Sequence, residues 1–207
     1  MAVLARFTGI LLLLLSFSVT GFSQQFEKQK AAFSQSYMSE SKGDYMAAIR
    51  NLKDVYDPTS YELNLRLGWL YYKAGDFPES EACYRKAIGN MPYGIEARFG
   101  LTAPLSSMGN WTQVIRIYEE ILAIDPNNSI GNYRYGLLMY NRGDYLKADK
   151  LVSKTVNLYP FDYDSVVLLA WIKLKLNKMM EAKMLFQKAL LYKPMDPSAS
   201  EGLSLIK

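Results

Sequence analysis

A spacing of 34 residues runs through this chain and constrains its fold more than any other feature. Pro92, Pro126, Pro160 and Pro194 form one ladder at that interval, and Gly75, Gly109 and Gly143 form a second in register with it. The next place in the glycine series is Asn177, the other residue that readily takes a left-handed backbone. Between each glycine and the following proline lies an apolar pattern of helical period, such as Ala148, Leu151, Val152 and Val156, and a similar pattern precedes each glycine. Each unit therefore reads as helix, tight turn, helix, turn. The glycine ends the first helix, and Asp76, Asn110 or Asp144 follows to cap the second. The proline then stops that second helix, because it donates no hydrogen bond and forces its predecessor out of helical geometry.

A 34-residue helix-turn-helix unit with Leu67-Gly68, Tyr71, Gly75-Asp76-Phe77, Tyr84, Ala87 and Pro92 resembles the tetratricopeptide repeat. Full-length units span 61–94, 95–128, 129–162 and 163–196. Residues 24–60 hold an N-terminal extension and a divergent first unit with Gly43-Asp44-Tyr45, and residues 197–207 read as a capping helix. The resemblance implies an all-α, right-handed α-solenoid of about five repeats, with ten to twelve helices. Position four of the repeat, often Trp in this family, is Asn64, Arg98, Asn132 and Val166 here. Pro104 falls inside a first helix, where a kink or local break is expected.

Residues 1–23 read as a secretory signal peptide: Arg6, an apolar run over Ile10 to Leu15, then Gly21 and Ser23 ahead of a cut before Gln24. The alternative is an uncleaved anchor; after cleavage no stable membrane span is expected. No Cys follows the run, which disfavours a lipoprotein. The segment resembles the leaders of bacterial envelope proteins, those of Bacteroidetes in particular, so an exported protein of the periplasm or cell envelope is expected.

The chain lacks His altogether, and with it Ser-His and Cys-His catalysis and most zinc and iron sites. Cys83 is the single cysteine, so no internal disulfide forms. The charge balance of 24 Lys plus Arg against 20 Asp plus Glu, without a basic block, is not that of a nucleic-acid binder. Asp162 with Asp164 and Glu119 with Glu120 are tight carboxylate pairs; a helix cap and a solvated face explain them. No enzymatic activity, cofactor or metal is expected.

In the resembled family partners bind a concave groove lined by the first helices. The residues this implies here are Phe33, Tyr37, Trp69, Tyr72, Phe99, Tyr133, Tyr140 and Trp171. Aromatic residues of this kind dominate binding hot spots, although a stripe at helical spacing also suits a core. Phe33, Tyr37, Leu65 and Trp69 stand where chaperone-tail binders carry a carboxylate clamp of Lys and Asn, which disfavours that partner, and Arg66 and Arg134 are isolated cations. The favoured expectation is a non-catalytic scaffold holding a peptide or partner subunit. The alternatives are a structural subunit of an envelope assembly or secretion complex and, last, a carbohydrate-binding or enzymatic protein.

Overall fold

The computed structural model describes residues 24–206, so the signal-peptide reading of residues 1–23 lies outside the described residues. The described residues form eleven helices and no strand. The first, α1, covers 24–41. It is followed by α2 Tyr45–Lys53, α3 Tyr61–Ala74, α4 Phe77–Asn90, α5 Glu96–Ser107 and α6 Trp111–Ile124. The rest are α7 Ser129–Asn141, α8 Tyr145–Leu158, α9 Tyr163–Lys175, α10 Met179–Tyr192 and α11 Pro197–Ser204. Among them no helix is long and apolar enough to cross a membrane.

The turn chemistry follows from the glycine ladder. Gly43, Gly75, Gly109, Gly143 and Asn177 all have positive φ, between 63° and 83°. This left-handed residue lets the next backbone N–H reach back over the last turn, as Asp76 N does to Tyr71 O at 2.9 Å and Asp144 N to Met139 O at 3.0 Å. The same aspartates then open the following helix: Asp76 accepts from Glu79 N, Asp144 from Lys147 N, and Asp44 from Ala47 N. One residue thus satisfies orphan groups of two helices. Lys178 occupies this place before α10 and cannot accept, and α10 has no side-chain cap. Each second helix from α4 onward ends two residues before its ladder proline.

The chain divides after Asn110 into two compact units, and the division falls at the tight turn inside the repeat 95–128. In the first, α2, α3 and α4 enclose Ala48, Leu52, Leu63, Leu67 and Leu70, all buried. Each such leucine contributes about 1.5–3 kcal/mol by leaving water. In the second, α8, α9, α10 and α11 bury Val152, Leu169, Ile172, Ala182, Phe186, Ala189 and Ala199.

Position four carries structure where the family's Trp is missing. The wholly buried Asn64 amide donates to Pro58 O at 3.0 Å and Ser60 O at 2.7 Å, tying the turn between repeats to the first helix. Asn132 repeats this with Pro126 O and Asn128 O, and Arg98 donates to Gly94 O at 2.8 Å. Pro104 does not break its helix: α5 is continuous through it. The residue four back, whose carbonyl a proline ring crowds and leaves without a donor, is Gly100, and extra hydroxyl bonds from Thr102 to Phe99 O and from Ser106 to Thr102 O brace the same stretch.

Candidate functional site

Helices α1, α3 and α5 of the first unit surround a hollow of about 620 Å³. Phe33 and Tyr37 enter it from α1, Leu65 and Trp69 from α3, and Glu62 and Glu96 stand at the starts of α3 and α5. Beneath the aromatics lies a bonded group that spacing alone does not show. Arg66 is only 9% exposed, forms an ion pair with Glu40, and lays its guanidinium 3.9 Å from the centre of the Tyr37 ring. Glu40 also accepts the indole N–H of Trp69. Burial works against ionisation of Glu40, but the bonds from Trp69 and Arg66 and the charges of Arg66 and Lys73 outweigh it and hold its pKa below the usual carboxylate range. Arg66, isolated in the sequence, is therefore neutralised by a residue on α1, the first helix of the preceding repeat. The aromatics are held in place yet left open to solvent, Tyr37 by 55% and Trp69 by 40%.

The second unit has an equivalent hollow of about 420 Å³, lined by Ile130, Tyr133 and Arg134 of α7, by Tyr159, and by Asp164 and Ser165 of α9. Two repeats separate the corresponding residues: Ile130 answers Glu62, Tyr133 answers Leu65, Arg134 answers Arg66, Tyr159 answers Met91 and Asp164 answers Glu96. Burial, followed by the charges of Asp164 and Asp162, raises the Tyr133 phenol above its ordinary value. Burial and Glu96 do the same to Tyr61 in the first hollow.

Phe33, Tyr37 and Trp69 thus share one hollow and Tyr133 lines the other, while the other four expected residues stand elsewhere. Tyr72 packs between Trp69 and Phe77, and Tyr140 against Tyr145, so both rest on the first residue of their own second helix. Phe99 is half-buried on α5. Trp171 meets Phe186 edge-on and donates its indole N–H to Ser198 at 2.9 Å, which draws it under α11. Met91 and Tyr159, which sequence reasoning missed, each immediately precede a ladder proline. That extended residue projects beside the first-helix row, and the proline ladder was the signal for it.

Three of the groups that could suggest chemistry, Cys83, Asp162 and Glu119, are engaged structurally. Cys83 is buried, and burial pushes its thiol up to about 11, away from nucleophilic thiolate. Asp162 caps α9 through Ser165 N, and Glu119 accepts from Tyr135 and Lys147. Among the described residues no group of three or more His, Cys, Asp or Glu is placed to hold a metal ion.

The tetratricopeptide repeat family model matches residues 40–95, from the end of α1 to the start of α5. Over that span the chain has the tetratricopeptide repeat pattern. Their arrangement is similar to a tetratricopeptide repeat protein from Parabacteroides merdae, with a TM-score of 0.74 and 19% identity over 87% of this chain and 72% of that one. It is also similar to MamA from Desulfovibrio magneticus, with a TM-score of 0.68 and 20% identity over 82% of this chain and 97% of that one. Another MamA structure gives 0.68 and 23% over 79% and 91%. At such identities the likeness is one of tetratricopeptide fold. No curated protein sequence matches the chain.

Proposed function

We propose that this protein is an exported, non-catalytic scaffold of the periplasm or cell envelope that holds a peptide or partner subunit against its first helices. The observation that carries this reading is the hollow between α1, α3 and α5. A fold that buries Tyr71 and Tyr84 leaves Tyr37 and Trp69 facing solvent, and the Arg66–Glu40 pair holds them in position. Rigid exposed aromatics over a concave surface are what a docking site needs, because little side-chain entropy is lost on binding. Export rests on residues 1–23, and Gln24 is the expected first residue of the native protein by mass spectrometry.

The test is native purification with crosslinking from an envelope fraction. Trp69→Ala should weaken recovery of the partner by about 1–3 kcal/mol, the span of a moderate to strong hot spot. Unchanged recovery with the fold intact would place the docking surface elsewhere.

A subunit of an envelope assembly is the second reading, and α10 supports it. Met180, Met184 and Leu191 are exposed and fall on one helical face, an apolar stripe outside the hollows. A stoichiometric complex lost in Leu191→Glu would favour it over transient clients.

A further inference from the structure

We propose that each hollow receives a lysine or arginine side chain of the partner, so that the segment this scaffold binds is basic. The inference rests on the docking reading above and adds the chemistry of the occupant.

The two hollows share a charge pattern as well as a place in the repeat. Each has an exposed carboxylate near the start of the following first helix, Glu96 in one and Asp164 in the other, and a second carboxylate close by, Glu62 or Asp162. The cation lining the first hollow, Arg66, is already compensated by Glu40. In the second, Arg134 is outnumbered by Asp162 and Asp164. Both hollows are therefore locally negative in a chain whose net charge is +4. Burial first, and then the charge of Glu96 on Tyr61 and of Asp164 and Asp162 on Tyr133, raises both phenols.

The walls suit a cation in a second way. Tyr37 and Trp69 border the first hollow, Tyr133 and Tyr159 the second, and an ammonium or guanidinium group is drawn to aromatic faces. An acidic segment would set like charges together, and an apolar one would strip water from carboxylates without replacing it.

The experiment measures fluorescence anisotropy of three length-matched Gly/Ser peptides carrying lysine, glutamate or glutamine at alternate positions. The lysine peptide should bind, and salt should weaken it. Glu96→Gln and Asp164→Asn should each weaken it by about tenfold, whereas Glu201→Gln, at an exposed site on α11, should leave it unchanged. Failure of the lysine peptide to bind overturns the proposal. So does equal binding of the glutamate or glutamine peptide, or an equal loss in Glu201→Gln. If the glutamate or glutamine peptide binds and loses affinity in Trp69→Ala and Tyr133→Ala, the docking reading stands and its basic occupant does not. If no bound peptide responds to Trp69→Ala or Tyr133→Ala, and crosslinked partner recovery is equally indifferent, the docking reading itself fails.

Discussion

The ring of Tyr84 occupies the space that Gly100 leaves open: a Cβ on that glycine would stand 2.2 Å from Tyr84 Cε1. Phe186 and Gly202 stand in the same relation, with Cζ 2.2 Å from the absent Cβ. Tyr84 and Phe186 hold one position in their repeats, and Gly100 and Gly202 hold one position in the helix that follows. The terminal helix α11 thus docks on the last repeat by the device that seats α5 on α4.

Gly100→Ala and Gly202→Ala should each cost about 1–3 kcal/mol by overpacking, read as a lower urea midpoint. Gly89, exposed in α4 with open space around its Cα, is the control, and Gly89→Ala should stabilise by about 0.5–1 kcal/mol. Tyr84→Ala, at a buried position, should cost about 3–5 kcal/mol. Gly100→Ala as harmless as Gly89→Ala would show that the ring moves aside freely.

Asn64→Leu should destabilise by about 1–3 kcal/mol, because Pro58 O and Ser60 O lose a buried donor. Tyr56 donates its hydroxyl to Asn64 Oδ1 at 3.0 Å, so Tyr56→Phe should cost about 1 kcal/mol. In the double variant the two losses should not add, since both belong to one network. Full additivity in a double-mutant cycle would count against that coupling.

Acid sensitivity should centre in part on Asp149, which Lys173 holds at 2.9 Å and Lys178 at 3.3 Å. Burial opposes its ionisation, but hydrogen bonds from Lys173 and Ser153 and the charge of Lys173 outweigh it, and its pKa lies below the ordinary 3.8. The unfolded chain then binds the proton more readily. The stability from this group is fully present above that ordinary value and is lost as pH falls through the lower folded one. Glu40, also lowered, acts in the same direction. Lys173 is raised above 10.5, so its contribution is present below that value and lost as pH rises beyond it. Asp149→Asn should be less stable at neutral pH by about 1–3 kcal/mol and should show a shallower acid loss in urea midpoints. An unchanged acid slope would remove Asp149 from the explanation.

Removal of residues 197–207 should uncover Phe186 and Trp171, which α11 covers through Gly202 and Ser198. The expected result is a loss of at least about 2 kcal/mol, as for a core site opened to water, with increased binding of an apolar dye. An unaltered melting temperature would mean that the last repeat closes itself.

Much of the architecture was legible because it is local. Gly75, Gly143 and Asn177 need a left-handed backbone, Asp76 and Asp144 need a free helix N-terminus, and Pro92 and Pro160 forbid continuation; each requirement acts within a few residues. Pro104 marks the limit of local reasoning: a proline can break a helix, yet α5 runs on through it, packed against α3 and α4.

The sequence by itself determined the repeat length, the helix boundaries and the first-helix row from which partners would be sought. Only the tertiary structure decided what that row offers. It set Glu40 of one helix beside Arg66 and Trp69 of another, turned Trp171 under α11, and set Tyr72 and Tyr140 against their own second helices. Period and propensity act along the chain, whereas neutralising a buried cation or covering a ring depends on residues about one repeat away in sequence, which helix packing brings within a few ångströms.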